Sequence, residues 1–190
     1  MESLKNMSAT MQYRGPDDDG IYRTDHIGLV HRRLSIRDLT AAGHCPMGTA
    51  DKSVQVIFNG EIYNWRELRQ ELETQGVSFT SQSDTEVILH GYLVWGHEFI
   101  SRLRGMFAIA IWDGGQNRLF LARDRAGEKP LFYLESSAGL AFASTTEALQ
   151  PLLAQRIIDP VAIACHLSHS FIPASHTIWD KLKVLPPAHF

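Results

Sequence analysis

The apolar positions change period along the chain, and each change marks an element. Leu4, Met7 and Met11 fall at helical spacing, which predicts a short amphipathic helix ending before Gly15-Pro16. Gly20 to Arg23 and Ile27 to Leu34 read as short strands about a turn at Asp25-His26, and Ala41 to Lys52, rich in Gly, Pro and Ala, reads as a loop. An alternating apolar run then predicts a strand over Val54 to Phe58, running into Asn59-Gly60-Glu61. Asn-Gly between two apolar runs is the strongest short hairpin signal, so a turn is the simplest local reading there. Helical spacing returns with Trp65, Leu68 and Leu72 and stops at Gly76; Ser83 to Trp95 forms a second helical stretch with Ser83 as N-cap.

After Gly105 the texture is strand again: Met106 to Asp113, Leu119 to Ala122, Leu131 to Leu134 and Leu140 to Ala143, separated by turn residues at hairpin spacing. That pattern predicts an antiparallel meander with little room for βαβ crossovers. Thr145 to Leu153 and Pro160 to Leu167 read as helices, followed by a proline-marked end from Val184 to Phe190. Strands, helices, strands and helices in that order give an α+β class, with sheet faces that helices can cover. No internal repeat or low-complexity segment interrupts it.

Composition narrows the function classes. The 190 residues suffice for one domain, and a formal charge of −3 gives no electrostatic reason for nucleic acid or an anionic membrane as partner. No apolar run approaches the roughly 20 residues needed to cross a bilayer. Met1-Glu2-Ser3-Leu4-Lys5 lacks the apolar core of a signal peptide, and Cys45 and Cys165 make no disulfide framework. The expectation is a soluble, cytoplasmic domain.

Four polar clusters stand at the ends of apolar elements: Arg14-Gly15-Pro16-Asp17, His31-Arg32-Arg33-Leu34-Ser35, Asn59-Gly60-Glu61 and Ser83-Asp84-Thr85-Glu86. Taken singly, each reads more simply as a turn or cap, and Ser83 with Glu86 has capping-box spacing. Together they supply a guanidinium, an amide beside a free backbone N–H, and carboxylates. An α-amino acid needs that set: a cation for its carboxylate, carboxylates for its ammonium, donors for a side-chain carbonyl.

The wording and order of these clusters resemble the class II glutamine amidotransferase domain, in the form found in asparagine synthetases. The resemblance runs from about Met11 to Phe190. It includes Arg14-Gly-Pro-Asp17, Arg33-Leu-Ser-Ile36, Phe58-Asn-Gly-Glu-Ile-Tyr-Asn64, Ser83-Asp-Thr-Glu86 and Arg104-Gly-Met-Phe-Ala108. It continues through Arg123-Asp-Arg125, Gly127, Lys129-Pro-Leu-Phe-Tyr133 and Ile172-Pro173 to Leu185-Pro-Pro187. It implies an N-terminal-nucleophile hydrolase fold, an αββα sandwich of two antiparallel sheets, and hydrolysis of L-glutamine with ammonia passed to a synthetase domain. By the same resemblance Arg33 holds the glutamine α-carboxylate, Glu61 and Asp84 take the ammonium, and Asn59 with the Gly60 N–H forms the oxyanion hole.

The resemblance also implies a cysteine as first residue of the mature domain, its thiolate attacking the amide and its own α-amine, pKa about 7.7–8.0, acting as base. This chain begins Met1-Glu2, and Glu2 is expected to keep Met1 in place. Residues 1–190 are therefore expected to be a near-complete amidotransferase domain lacking its first strand and nucleophile, inactive alone. A fragment or wrongly started chain is the favoured explanation. The alternative is a glutaminase-dead binding or scaffold domain, as in β-lactam synthetase relatives. Cys45 cannot supply its own α-amine, although His44 beside it suggests a Cys–His pair, and Cys165 reads as a buried small apolar residue. Cys165, His166, His169 and His176 fit no standard zinc spacing, and no metal is expected. No Ser-Gly-Gly-x-Asp-Ser loop is present, so the chain is expected to use no cofactor, with ATP and Mg²⁺ confined to the synthetase domain.

Overall fold

The computed structural model describes residues 2–173 and 176–190. Helix α1 (Glu2–Thr10) leads to the hairpin of β1 (Asp18–Arg23) and β2 (Gly28–Arg33). A 3-10 turn at Ala41–Gly43 and the two-residue β3 (Met47–Gly48) precede the long β4 (Val54–Ile62). Helices α2 (Trp65–Thr74), α3 (Asp84–Trp95) and α4 (Phe99–Arg102) follow. The strands β5 (Gly105–Asp113), β6 (Arg118–Arg123), β7 (Phe132–Ser136) and β8 (Gly139–Ala143) come next. The chain closes with α5 (Thr146–Leu149), α6 (Pro160–His169) and β9 (Lys183–Val184).

The first layer is an antiparallel sheet in the order β3-β4-β5-β6. Period-2 alternation gives it two distinct faces. Val54, Val56, Phe58 and Ile62 of β4 join Phe107, Ile109 and Ile111 of β5 in the main core, packed against Trp65, Leu68 and Leu72 of α2 and Val87 and Ile88 of α3. The intervening residues, among them Ile57, Asn59, Glu61, Ala108 and Ala110, face the opposite way and line an internal cavity.

Across that cavity stands the second layer, which is in two pieces: the β1-β2 hairpin, and a sheet in the order β8-β7-β9. Among the described residues β2 pairs only with β1, and β8 only with β7, so each presents an unpaired edge, and both strands line the same cavity. A smaller core holds this layer to the terminal helices, with Met7 of α1 and Leu149 of α5 meeting Val30, Leu134 and Ala143.

Three expectations change. Asn59-Gly60 is no turn: β4 continues through it, paired with β5 from Val54↔Asp113 to Ile62↔Gly105. A glycine is required there because a Cβ on Gly60, at φ +156°, would lie 2.0 Å from the Met106 carbonyl oxygen. Secondly, the expected meander breaks between Arg123 and Phe132, and its halves enter different sheets. The joint is built by Asp124, which accepts the N–H groups of Phe107, Ala126, Glu128 and Lys129, and by Arg123, which donates to the carbonyls of Gly127, Lys129 and Leu185. Burial alone would raise the Asp124 carboxyl; those four donors outweigh it and hold the pKa below its ordinary value. Thirdly, the Ala41 to Lys52 loop contains β3, which extends the first sheet through Met47↔Val56.

Candidate active site

The internal cavity, of about 1200 Å³, is lined by Arg33, Asn59, Gly60, Glu61 and Asp84 together. Residues separated by up to 51 positions thus line one cavity. β4 delivers three of them, since the strand passes through Asn59-Gly60-Glu61 without turning. Its alternation aims Asn59 and Glu61 to the cavity face. The N-terminus of α3 delivers the fourth: Ser83 caps the helix by accepting the Thr85 N–H at 3.2 Å, and Asp84 opens the first turn.

Asp84 is 5% exposed, and its Oδ2 accepts the Ile62 N–H at 3.0 Å, tying α3 to the end of β4. Burial pushes its carboxyl above the usual range, opposed by the Ile62 N–H and by the Arg37 guanidinium. Arg37 is the side chain that sequence reasoning missed. It reaches from the loop after β2 to pair with Glu61, and its Nε lies 3.8 Å from Asp84 Oδ2. No local signal marks it, because its partners are 24 and 47 positions away.

Arg33 is buried, and its fork is engaged by its own loop: Nη1 donates to Thr40 O at 3.1 Å and Nη2 to Arg37 O at 3.1 Å and to Asp38 O. These bonds use three of five guanidinium N–H groups. The structure therefore shows Arg33 as the organiser of the 37–40 loop at the cavity wall. Gly43 allows this, since a Cβ there would sit 2.0 Å from Arg33 Nη2.

Asn59 Nδ2 donates to Ser144 Oγ at 3.3 Å, at the end of β8 across the cavity. His31 of β2 also spans the layers, its Nε2 3.0 Å from Phe58 O. A carbonyl only accepts, so Nε2 carries the proton. Burial lowers the His31 pKa, keeping the ring neutral, and Nδ1 is buried without a partner among the described residues.

Other clusters serve the frame. Asp17 accepts the Ser35 N–H at 2.7 Å, and Gly15 packs directly against the Arg32 backbone. Glu86 does not close a capping box. Its carboxylate takes the N–H and hydroxyl of both Thr80 and Ser81, while the Ser83 N–H donates to Ser81 Oγ.

Cys45 also lines the cavity. Its Sγ is 3.9 Å from Gly43 O, and burial pushes its thiol up to about 11. His44 points away from it and bonds Asp18 Oδ2 at 2.8 Å, so no Cys–His pair exists. Cys165 is half-buried beside Val161 and His169 on the surface of α6, rather than in the core as expected. His176 bonds Asp159 Oδ2 at 2.9 Å, and among the described residues no three His, Cys, Asp or Glu side chains converge as metal ligands.

Two antiparallel layers facing each other across a cavity and flanked by helices make the arrangement of the N-terminal-nucleophile hydrolase fold. The same fold is present in the glutamine phosphoribosylpyrophosphate amidotransferase of Bacillus subtilis complexed with ADP and GMP, with a TM-score of 0.66 over 83% of this chain and 42% of that one at 22% identity. The chain belongs to the glutamine amidotransferase domain family, whose model matches residues 1–190. By sequence it is 40% identical over 186 residues to asparagine synthetase [glutamine-hydrolyzing] 1 of Bacillus subtilis, covering 98% of this chain and 29% of that protein. It is 38% identical over 202 residues to a putative asparagine synthetase [glutamine-hydrolyzing] of Mycobacterium tuberculosis, covering 99% of this chain and 31% of that protein. The chain thus spans about a third of the length of these relatives. Among the described residues no helix is long and apolar enough to cross a membrane.

Proposed function

We propose that this chain is the glutamine-binding and glutamine-hydrolysing module of an asparagine synthetase-like ligase, supplying ammonia to a synthetase domain for ATP-dependent amidation of aspartate. The observation that carries the reading is the convergence of Glu61 and Asp84 with the Asn59 amide and Gly60 on one cavity wall. Two carboxylates suit an α-ammonium. The Asn59 amide and the Gly60 N–H are the donors assigned to the oxygen that becomes negative when a thiolate adds to the glutamine amide. Arg33, released from part of its loop, is the cation assigned to the α-carboxylate. ATP and Mg²⁺ belong to the synthetase domain, and no residue here is assigned to them.

The attacking thiolate is not one of this chain's two cysteines. With a thiol pKa of about 11, Cys45 is almost wholly protonated at neutral pH. It also lacks the α-amine that serves the family as base. These 190 residues alone are therefore expected to bind glutamine without turning it over. That property favours a second reading, a glutaminase-dead binding or scaffold domain.

Ammonia release from glutamine distinguishes the two. The assay compares this chain with a version carrying a Met-Cys-Gly-Ile strand ahead of Glu2. Release only from the cysteine-led version supports hydrolysis as the site's design. Silence from a cysteine-led version that melts cooperatively favours the scaffold, and release from the unaltered chain that vanishes in Cys45→Ala overturns the account of Cys45.

A further inference from the structure

The cation seat between Glu61 and Asp84 is already filled from within. Arg37 pairs its Nη2 with the Glu61 carboxylate, places Nε 3.8 Å from Asp84 Oδ2, and lays its guanidinium 5.5 Å from the centre of the Trp65 ring. Its Nε is buried with no hydrogen-bond partner among the described residues. Charge, rather than a closed set of hydrogen bonds, therefore holds the group in place. The pairing offsets the cost of leaving a buried carboxylate alone.

We propose that Arg37 is an internal stand-in for a ligand ammonium and sets the affinity of the site. The assignment of glutamine as ligand rests on the reading above. The seat can hold only one cation against Asp84. A ligand ammonium must therefore displace the guanidinium, and the apparent affinity is reduced by the fraction of molecules in which Arg37 is home. The displacement needs only a side-chain swing. Arg37 is 28% exposed, so water is at hand for the released guanidinium. The device makes the site selective for ligands that bring both an ammonium and further contacts, since a bare cation merely exchanges one charge for another.

The test follows the side-chain carboxyl carbons of Glu61 and Asp84 by NMR during titration with L-glutamine and, separately, with methylammonium. The proteins are the unaltered chain, Arg37→Met and Arg37→Lys, with Arg37→Gln as a second neutral variant in case the methionine disturbs folding. Both ligands are expected to bind the neutral variants about tenfold more tightly than the unaltered chain, with no gain in Arg37→Lys, which keeps a cation. A gain for methylammonium without glutamine binding to any protein leaves Arg37 displacement standing and removes glutamine as ligand. No gain for methylammonium in the neutral variants, or an equal gain in Arg37→Lys, overturns the proposal.

Discussion

Asn59 and Ser144, 85 positions apart, are joined by a 3.3 Å hydrogen bond that spans the cavity between the two layers. The bond holds the Nδ2 end of the Asn59 amide toward Ser144 before any ligand arrives. In a cysteine-led, active version, Asn59→Ala is expected to lower kcat by about 10²–10³, roughly 2.7–4 kcal/mol, with little change in KM. Ser144→Ala removes only the orienting partner, so its loss should be smaller and again in kcat. Steady-state ammonia release measures both, and a change confined to KM would move Asn59 from the oxyanion to ground-state binding.

Gly60→Ala tests the strand that carries the site. Its Cβ would meet the Met106 carbonyl at 2.0 Å, a backbone atom that cannot rotate away, at a φ unsuited to alanine. A loss of roughly 1–3 kcal/mol is expected from the forced shift, read by urea denaturation. Equal stability would mean that β4 and β5 separate locally without cost.

The two cysteines should differ in reactivity. Burial raises the Cys45 thiol to about 11, so its thiolate fraction is small at pH 8 and grows as pH climbs. Cys165 lies half-buried at the surface of α6. A thiol reagent followed by peptide mass spectrometry is expected to label Cys165 first at pH 8, with Cys45 accelerating toward higher pH. Fast labelling of Cys45 at pH 7 would reopen its candidacy as nucleophile.

Glu86 gives a pH signature. Burial would raise its carboxyl, but four donors from Thr80 and Ser81 prevail and hold the folded pKa below the usual value. A depressed folded pKa stabilises above the unfolded value, about 4.3, and that contribution disappears as pH falls through the folded pKa. Glu86→Gln is expected to cost about 1–3 kcal/mol at pH 7, because one amide oxygen cannot serve the donors of both residues. The gap should narrow in acid; melts at pH 7 and pH 3 compare them, and a gap independent of pH would mean that charge is irrelevant there.

Much of the fold was legible because apolar period carries it: α2 through Trp65, Leu68 and Leu72, α3 with its Ser83 cap, and the alternation of β4. The failures share a cause. Asn59-Gly60 carries turn chemistry, yet nine residues of β5 hold it extended, and tertiary pairing overrides local preference. The break after Arg123 depends on one buried aspartate gathering four N–H groups, an arrangement with no periodic trace. At the site, the family motifs identified residues that line the same cavity. They did not disclose that Arg33 is engaged with its own loop, or that Arg37 sits between the carboxylates, since both depend on side-chain reach in three dimensions.

The unpaired edges of β2 and β8 have a consequence for behaviour in concentrated solution. A free strand edge is normally a template on which a second molecule can add its own strand, the first step of sheet-to-sheet aggregation. Here residues of both strands line one shared hollow, so the two free edges border the site itself. Strand addition at high concentration would then compete with ligand for the same space, tying self-association to occupancy of the site.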